Sequence, residues 1–397
     1  MANTLLTTDK ILRESLRVLH AKLNFIGRVN RTYDDAFANK GAQIGDTLRI
    51  RLPAEYTVTD GRVIQSQDTV EKNTSLQVNN RKHVAVTFTD EELTMDIDSF
   101  SALHLEPAMS VLAAKAESDM IQSVYKQVYN QVNNVGSDMT YKLIGTGRKV
   151  LVDNLIPQDS TVTGSLNTTD NLDLNDALKG LFNPQEQLGA NFREGKVGRT
   201  SGYTFFENTH MPRHTTGSDD GTGDYLTNSA TAQTGTSLTI DTGAGTILAG
   251  DIFTVAGVNR VHPETKIDTG VLQQFVCTTS IAASATTITF TPEIIASGGY
   301  QNVTNGAANN QALTKVGGAS VAHDISLGFH RDAFAFATAD VEMPGGMDMA
   351  GRKTMDGIRM RFVRGFDIRN SEFISRFDIL YGFNTIRPQL AHRWANN

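Results

Sequence analysis

The sequence of 397 residues is short of cysteine, of proline and of long apolar runs. Its single cysteine, Cys277, rules out an intrachain disulfide. The neighbours Phe275, Val276 and Thr278 read as strand, so Cys277 is expected to be a buried, inert thiol. No stretch approaches the roughly 20 apolar residues of a membrane-spanning helix. The start, MANTLLTTDK, lacks the apolar core of a signal peptide, so the chain is expected to stay in a cytoplasm. Excess positive charge is missing too: the net charge is -7, which disfavours tight, non-specific nucleic-acid binding and leaves only local basic faces for such contact. Proline, at 9 residues, is outnumbered by 34 glycines without a collagen-like period, the mark of many turns between strands. The apolar share, 39%, excludes disorder of the chain as a whole, and its length is enough for two or three domains with cores of their own.

The pattern that remains is mixed, and the fold class is α+β. Thr8 is a candidate cap for an N-terminal helix whose Ile11, Leu12, Leu16, Leu19 and Leu23 share one face. Such a short helix needs a partner surface. Leu48, Ile50 and Leu52 alternate with polar residues up to Pro53, and Val84, Val86 and Phe88 alternate again. The polar stretch between them, with a turn at Asp60-Gly61, predicts a long hairpin leaving the core. The spacing of Leu112, Ala116, Met120, Val124, Val128 and Val132 predicts a helix over 104–135, with Pro107 in its first turn. It would span about 45 Å. Lys115, Glu117, Asp119 and Lys126 fall on its polar side.

Further on, 150–152 reads as a buried strand and 171–182 as a helix begun by Asp170 or Asp173. Residues 203–206 read as a strand. From Gly217 the composition turns small and polar. A small β domain follows, with strands expected at 237–240, 251–256, 273–278 and 286–291, and a polar return over 293–320. Phe329, Ala333, Phe334 and Ala337 admit a short helix, and 340–343 reads as strand. At the end Ile358, Met360 and Phe362 alternate with charged residues, as Phe377, Ile379, Tyr381 and Phe383 do with their neighbours.

Chemistry is hard to find. His210 and His214 are four apart, but Pro212 between them forbids a helix interior. Asp219, Asp220 and Asp224 lack the calcium-loop spacing. The GTGRK stretch from Gly145 lacks the phosphate-loop spacing and reads as a turn before a strand. There is no GxSxG elbow, and adjacent Glu91 and Glu92 are no evidence of an acid–base pair. No catalytic residue, cofactor site or metal site is assigned, and the chain is read as a non-enzyme.

The closing RFDILYGFNTIRP stretch resembles the C-terminal signature of major capsid proteins of short-tailed, P22-like phages. The resemblance extends over most of the chain through KVLVDNLIPQ, GYTFFEN and FHRDAFAFAT and the order of the parts. It implies an HK97-type capsid fold with a long spine helix, an extended β-hairpin loop and a small all-β insertion domain. The parts would be an N-terminal arm (1–40), the extended loop region (41–95) and a peripheral domain (96–149) with the spine helix. An axial domain (150–224), the insertion domain (225–315), a return (316–355) and a second axial part (356–397) would follow. The implied function is a major capsid protein assembling into the icosahedral shell around a phage's double-stranded DNA. The implied partners are other copies in pentamers and hexamers, a scaffolding protein, a portal, DNA on the inner face and a cement or decoration protein, with no membrane. Shell contacts are expected to be non-covalent, since a Lys72 cross-link to Asn396 or Asn397 lacks an assignable acid catalyst. The alternative is a β-rich surface or tail adhesion component, whose Gly/Thr-rich β insertion would bind a receptor or glycan; aromatics are sparse there, and of Tyr225, Phe253, Phe275 and Phe290 at least some are expected to fill the core.

The C-terminal region is basic through Arg359, Arg361, Arg364, Arg369, Arg376, Arg387 and Arg393. Alternation places Arg359 and Arg361 opposite the apolar face, either as solvated charge or as contacts to neighbours or DNA. Candidate intersubunit contacts are Arg49, Arg51, Arg62, Lys72, Arg81, Arg359, Arg361, Arg376 and Arg387.

Overall fold

A computed structural model describes residues 8–33, 47–88, 101–159, 162–178, 197–220, 225–347, 349–355, 357–367 and 372–396. The chain divides into two compact units, one of residues 1–50, 73–120 and 334–386, the other of 51–72, 121–333 and 387–397.

The first unit is built on a five-stranded antiparallel sheet. Its order is Phe334–Ala339, Glu372–Thr385, Ile358–Asp367, Met349–Met355, and Asn80–Phe88 also pairs with Glu372–Thr385. The alternation that marks the C-terminal strands is realised in register: Phe362 lies opposite Phe377, with ring centroids 4.9 Å apart. Their face of the sheet is covered by helix α1, Thr8–Lys22, which buries Ile11, Leu12, Leu16 and Leu19. A Cβ at Gly351 would meet Thr8 and Leu12, so glycine there permits the close approach. Thr8 is itself the first helical residue rather than the cap.

Helix α2, Glu106–Val124, follows a wider π-helical turn at Ser101–Leu105. It is shorter than the 104–135 expected, about 28 Å long. Past Val124 the chain tightens at Tyr125–Gln127 and becomes a strand at Gln131–Asn133. The cause is a competing ladder: Asn130 donates to the Ala391 carbonyl, and Arg393 N–H donates to Asn130. Val128 and Val132 remain buried, so the stripe was real but its period was not helical throughout. Glu117 is 2% exposed and belongs to the core rather than the polar side.

In the second unit, a six-stranded antiparallel sheet runs Gly235–Thr239, Thr287–Ile294, Asp268–Cys277, Ile252–Val261, Ala312–Lys315, Tyr225–Leu226. Phe253, Phe275 and Phe290 meet at its centre, 5.0 to 5.7 Å between rings, with Tyr225 and Ile288 buried in the same core. Part of the expected polar return is therefore strand of this same sheet. The unit's other sheet has seven strands: Gln131–Asn133, Ala391–Asn396, Ala322–His330, Val162–Leu166, Tyr203–Glu207 and Arg199–Thr200 in order, with Arg213–Thr215 on Ala322–His330. Two of its pairings are parallel, Ala391–Asn396 with Gln131–Asn133 and Val162–Leu166 with Tyr203–Glu207.

Four local expectations change. The 150–152 run belongs to helix α3, Tyr141–Asp153, as does the GTGRK stretch; Thr140 caps it, accepting the Leu143 N–H, and Ile144, Gly147 and Leu151 face inward. Helical spacing of the buried positions outweighed the strand preference of the valines. Helix α4, Thr168–Leu178, begins at Asn167, whose Oδ1 accepts the Asp170 N–H at 2.6 Å; residues 179–182 lie outside the described set. The segment 329–337 is strand, tight turn, strand, because both faces of Phe334–Ala339 are buried and hide the two-residue period. Residues 340–343 are not in a strand.

Candidate assembly surfaces

The extended segment rises from two short paired strands, Thr47–Arg51 and Asn73–Gln77. The expected second leg, Asn80–Phe88, instead joins the five-stranded sheet. Between the legs every residue from 58 to 70 is exposed, including Val58 at 91% and Ile64 at 93%. Pairs across the segment keep it narrow. Thr57 N–H donates to Gln67 Oε1 at 3.0 Å, Gln67 Nε2 donates to the Thr57 carbonyl at 2.5 Å, and Tyr56 and Thr69 hydroxyls lie 3.2 Å apart. Gly61, with φ +113°, supplies the turn beside Asp60.

The root is clamped within the second unit. Tyr300 Oη donates to the carbonyls of Pro53 at 3.1 Å and Val70 at 2.9 Å. Lys72 pairs with Glu293 at 3.5 Å and stands 4.6 Å over the Tyr300 ring, and Lys266 reaches Glu55 at 3.4 Å. Of the candidate contacts, Lys72 and Arg51 are thus engaged at the root, Arg51 with Glu71 at 3.6 Å, while Arg49 and Arg62 are exposed. Arg387 is half-buried, its N–H donating to the Ala333 carbonyl. Asn396 is fully buried; Asn397 lies outside the described residues.

The second surface is an arginine-rich face on the five-stranded sheet. Asp378, 0% exposed, gathers Arg361 (Nη2 2.5 Å), Arg376 (2.8 Å) and Arg81 (3.4 Å). Burial alone would raise its carboxyl pKa, but the hydrogen bonds of Arg361 and the charges of Arg361, Arg376 and Arg81 hold it below the ordinary value. Asp340 pairs with Arg359 at 3.2 Å and Arg352 at 3.8 Å. Arg359 and Arg361 are buried, not solvated: the chain at 340–342 lies over them, and Arg361 donates to the Glu342 carbonyl. Alternation told their face but not that another segment covers it. Arg364 is buried as well, and Arg369 lies outside the described residues.

Sequence reasoning missed a closed polar cluster in the second unit. His214 Nε2 meets Asp251 Oδ1 at 2.8 Å, and its Nδ1 lies 3.3 Å from the Tyr125 hydroxyl. Asp251 also accepts the N–H groups of Gly217 and Leu248. Burial would raise its pKa, yet these hydrogen bonds and the nearby imidazole lower it. Arg393, fully buried, donates to the carbonyls of Gly250 and Tyr125, and burial lowers its guanidinium to about 10. With Tyr125, His214 and Asp251 all buried, the chain of hydrogen bonds ties strands together rather than meeting a substrate. His214 therefore has a structural partner. Cys277 donates to the Thr279 carbonyl, and burial pushes its thiol up to about 12. Among the described residues no group of three or more His, Cys, Asp or Glu is placed to hold a metal ion. No described helix is long and apolar enough to cross a membrane.

The profile of the family described as P22 coat protein, gene protein 5, matches residues 10–392. No curated protein matches the chain. Among solved structures, one from Mycobacterium phage Che8 is 13% identical with a TM-score of 0.48, covering 94% of this chain and 90% of its own. The asymmetric unit of the mature capsid of bacteriophage PhiM1 is 11% identical at a TM-score of 0.43, covering 91% and 84%. The I-domain of the CUS-3 coat protein is 31% identical at a TM-score of 0.19, over 24% of this chain and 96% of its own.

Proposed function

This chain belongs to the P22 coat protein family and is a major capsid protein that assembles with copies of itself into a phage shell; we propose that the segment 51–72 is the arm by which each copy overlaps its neighbour. The observation that carries this is the unbroken exposure of residues 58–70, with Tyr56, Val58, Val63, Ile64 and Val70 bare, above a root clamped by Tyr300, Lys72 and Lys266. Exposed apolar side chains on a braced projection are a contact surface awaiting a partner. Many modest overlaps, repeated by symmetry, close a shell, and mass action favours closure above a threshold concentration.

In this reading the shell is icosahedral and encloses double-stranded DNA. The partners beyond the chain itself are a scaffolding protein during assembly, a portal at one vertex, packaged DNA on the inner face and a cement or decoration protein. Assembly takes place in the host cytoplasm. The α2 region and the strands of 358–385, which share the first compact unit, belong to a peripheral domain, residues 150–224 and 387–397 to an axial domain, and 225–315 to an insertion domain. Excision of 58–70 tests the arm. The expected outcome is a folded chain by circular dichroism that forms no closed shells in negative-stain electron microscopy; normal shells from the excised chain would overturn it.

A further inference from the structure

We propose that Asn305 is a site of spontaneous covalent modification: the backbone nitrogen of Gly306 displaces ammonia from its carboxamide, and water then leaves the chain with aspartate or β-linked isoaspartate at 305. The isoaspartyl form holds the six-stranded sheet less firmly than the parent.

The reaction asks three things of a folded chain. The asparagine must reach water, its carboxamide must be untied, and the next residue must offer a nitrogen that is neither crowded nor held in a hydrogen bond. Glycine crowds least, having no Cβ. Asn305-Gly306 is the one Asn-Gly pair in the sequence. Asn305 is exposed, and among the described residues neither its carboxamide nor the Gly306 N–H forms a hydrogen bond.

Other asparagines of the same unit are tied. At Asn228-Ser229 the Asn228 Nδ2 donates to Asp241 at 2.9 Å, and the Ser229 N–H donates to Asn309 Oδ1 at 3.0 Å, so both the carboxamide and the attacking nitrogen are engaged. Asn302 donates to the Glu293 carbonyl at 2.6 Å and accepts the Ile295 N–H at 2.9 Å.

The fold itself requires glycine at 306. A Cβ there would stand 2.8 Å from the Gln233 carbonyl oxygen, with Thr234 and Ala232 at 3.2 and 3.3 Å. Packing that excludes a side chain from 306 thereby leaves the nitrogen uncrowded.

The step is a substitution and needs no oxidant. Hydroxide or water takes the Gly306 N–H proton, and the nitrogen pair forms a bond to Asn305 Cγ. The bond from Cγ to Nδ2 breaks, and that nitrogen leaves with a proton as ammonia. The five-membered imide then takes up one water. Opening at Cγ gives aspartate. Opening at the main-chain carbonyl gives isoaspartate, in which the chain runs through Cβ and Cγ and is one methylene longer.

The chain is held on both sides of that extra atom. The Thr304 N–H donates to the Asn259 carbonyl at 2.9 Å, and Ala307 and Gln233 exchange both backbone bonds, at 2.9 and 2.8 Å. Gln233 in turn brackets Thr239, its Nε2 donating to the carbonyl at 2.9 Å and its Oε1 accepting the N–H at 2.7 Å. A longer chain between Thr304 and Ala307 slips one of these anchors. Either product also places a carboxylate in the stretch 294–314, which has no charged residue. A subunit locked in a shell is not replaced, so converted copies accumulate as the particle ages.

The test holds the full-length chain at pH 6 and at pH 8.5 and follows its peptides by mass spectrometry. The peptide bearing Asn305 is expected to gain about one mass unit and to become a substrate for an isoaspartate-specific methyltransferase. The rate is expected to rise about tenfold per pH unit, because the deprotonated nitrogen is the attacking species. The peptide bearing Asn228 is expected to stay unchanged over the same interval. An unchanged Asn305, or faster conversion at Asn228, would overturn the site.

Asn305→Ser removes the carboxamide and separates the consequence from general ageing. After equal time at pH 8.5 and return to pH 7, the parent chain is expected to unfold at a lower urea concentration than fresh chain, while Asn305→Ser keeps its fresh midpoint. An equal loss in both chains, or a converted parent with an unchanged midpoint, would overturn the loosening of the sheet.

Discussion

The carboxylate of Glu117 accepts the backbone N–H of Phe25 at 2.6 Å and that of Ile26 at 3.2 Å, so a buried side chain of α2 holds the segment that follows α1. Phe25 in turn packs against Phe334, ring centroids 6.0 Å apart. Glu117→Ala strands two buried N–H donors, at about 1–3 kcal/mol each. The expected outcome is a urea midpoint lowered accordingly in the unassembled chain, and greater proteolysis at the segment near Phe25. A midpoint within error of the parent would contradict this role.

Asp378 is the anion that three arginines share. Asp378→Ala leaves Arg361, 9% exposed, with a buried charge and no counter-ion from this residue. Removing one partner of such a pair costs about 3–5 kcal/mol. Asp378→Ala combined with Arg361→Met is expected to recover much of that loss, a coupling that a double-mutant cycle on thermal unfolding reads directly. Simple additivity of the two substitutions would show that the pair does not act as a unit.

Acid should destabilise the unassembled chain. Burial, with the nearby charges of His214 and Arg393, lowers His323 to about 4; burial lowers His392 to about 3, against an ordinary 6.5. Both rings are neutral when folded, so between pH 6.5 and 4 the unfolded chain binds more protons and stability falls as pH falls. For His323 the loss reaches about 3 kcal/mol at pH 4, and that of His392 continues to about pH 3. Asp170 acts in the opposite sense: burial raises its carboxyl to about 6, so its protonation adds stability as pH falls from 6 toward 3.8. Two imidazoles outweigh one carboxyl. Emission of the one tryptophan, Trp394, whose ring lies 4.3 Å from that of His392, is expected to show a lower urea midpoint at pH 4.5 than at pH 7. His323→Leu should flatten that slope, and an unchanged slope would refute the assignment.

Gly147 lies on the inward face of α3, where an added Cβ would collide with the rings of His392 and Trp394. Gly147→Ala gains helix propensity of about 1 kcal/mol but overpacks a filled interior at about 1–3 kcal/mol. The expected result is net destabilisation. Gly145→Ala, with open space around it, is expected to stabilise the same helix. The pair of variants separates packing from propensity within three residues, and a lower melting temperature for both would defeat the argument.

The C-terminal strands were legible because one face of their sheet is apolar and the other charged, a two-residue period that survives in the sequence. The aromatic core of the six-stranded sheet was legible for the same reason, as was the amphipathic α1. Where burial is two-sided, as at Phe334–Ala339, the period disappears and a helix fits the same residues. At 125–133 the stripe continues in a helical spacing while the backbone does not, because the ladder with Ala391–Asn396 lies more than 250 residues away. The arginines could be placed on a face from alternation, but their partners Asp340 and Asp378 and the cover at 340–342 depend on long-range register.

The sequence by itself determined the α+β class, the family and the polar character and Asp60-Gly61 turn of the segment between the alternating runs, since these rest on composition and local period. Tertiary structure decided which polar residues are core. Glu117, Asp378, His214, His323, His392 and Arg393 have the local sequence of surface positions, yet each is less than 9% exposed. Burial of a polar group is tolerated where distant partners or enclosing packing meet it, and those are assembled only when the chain folds.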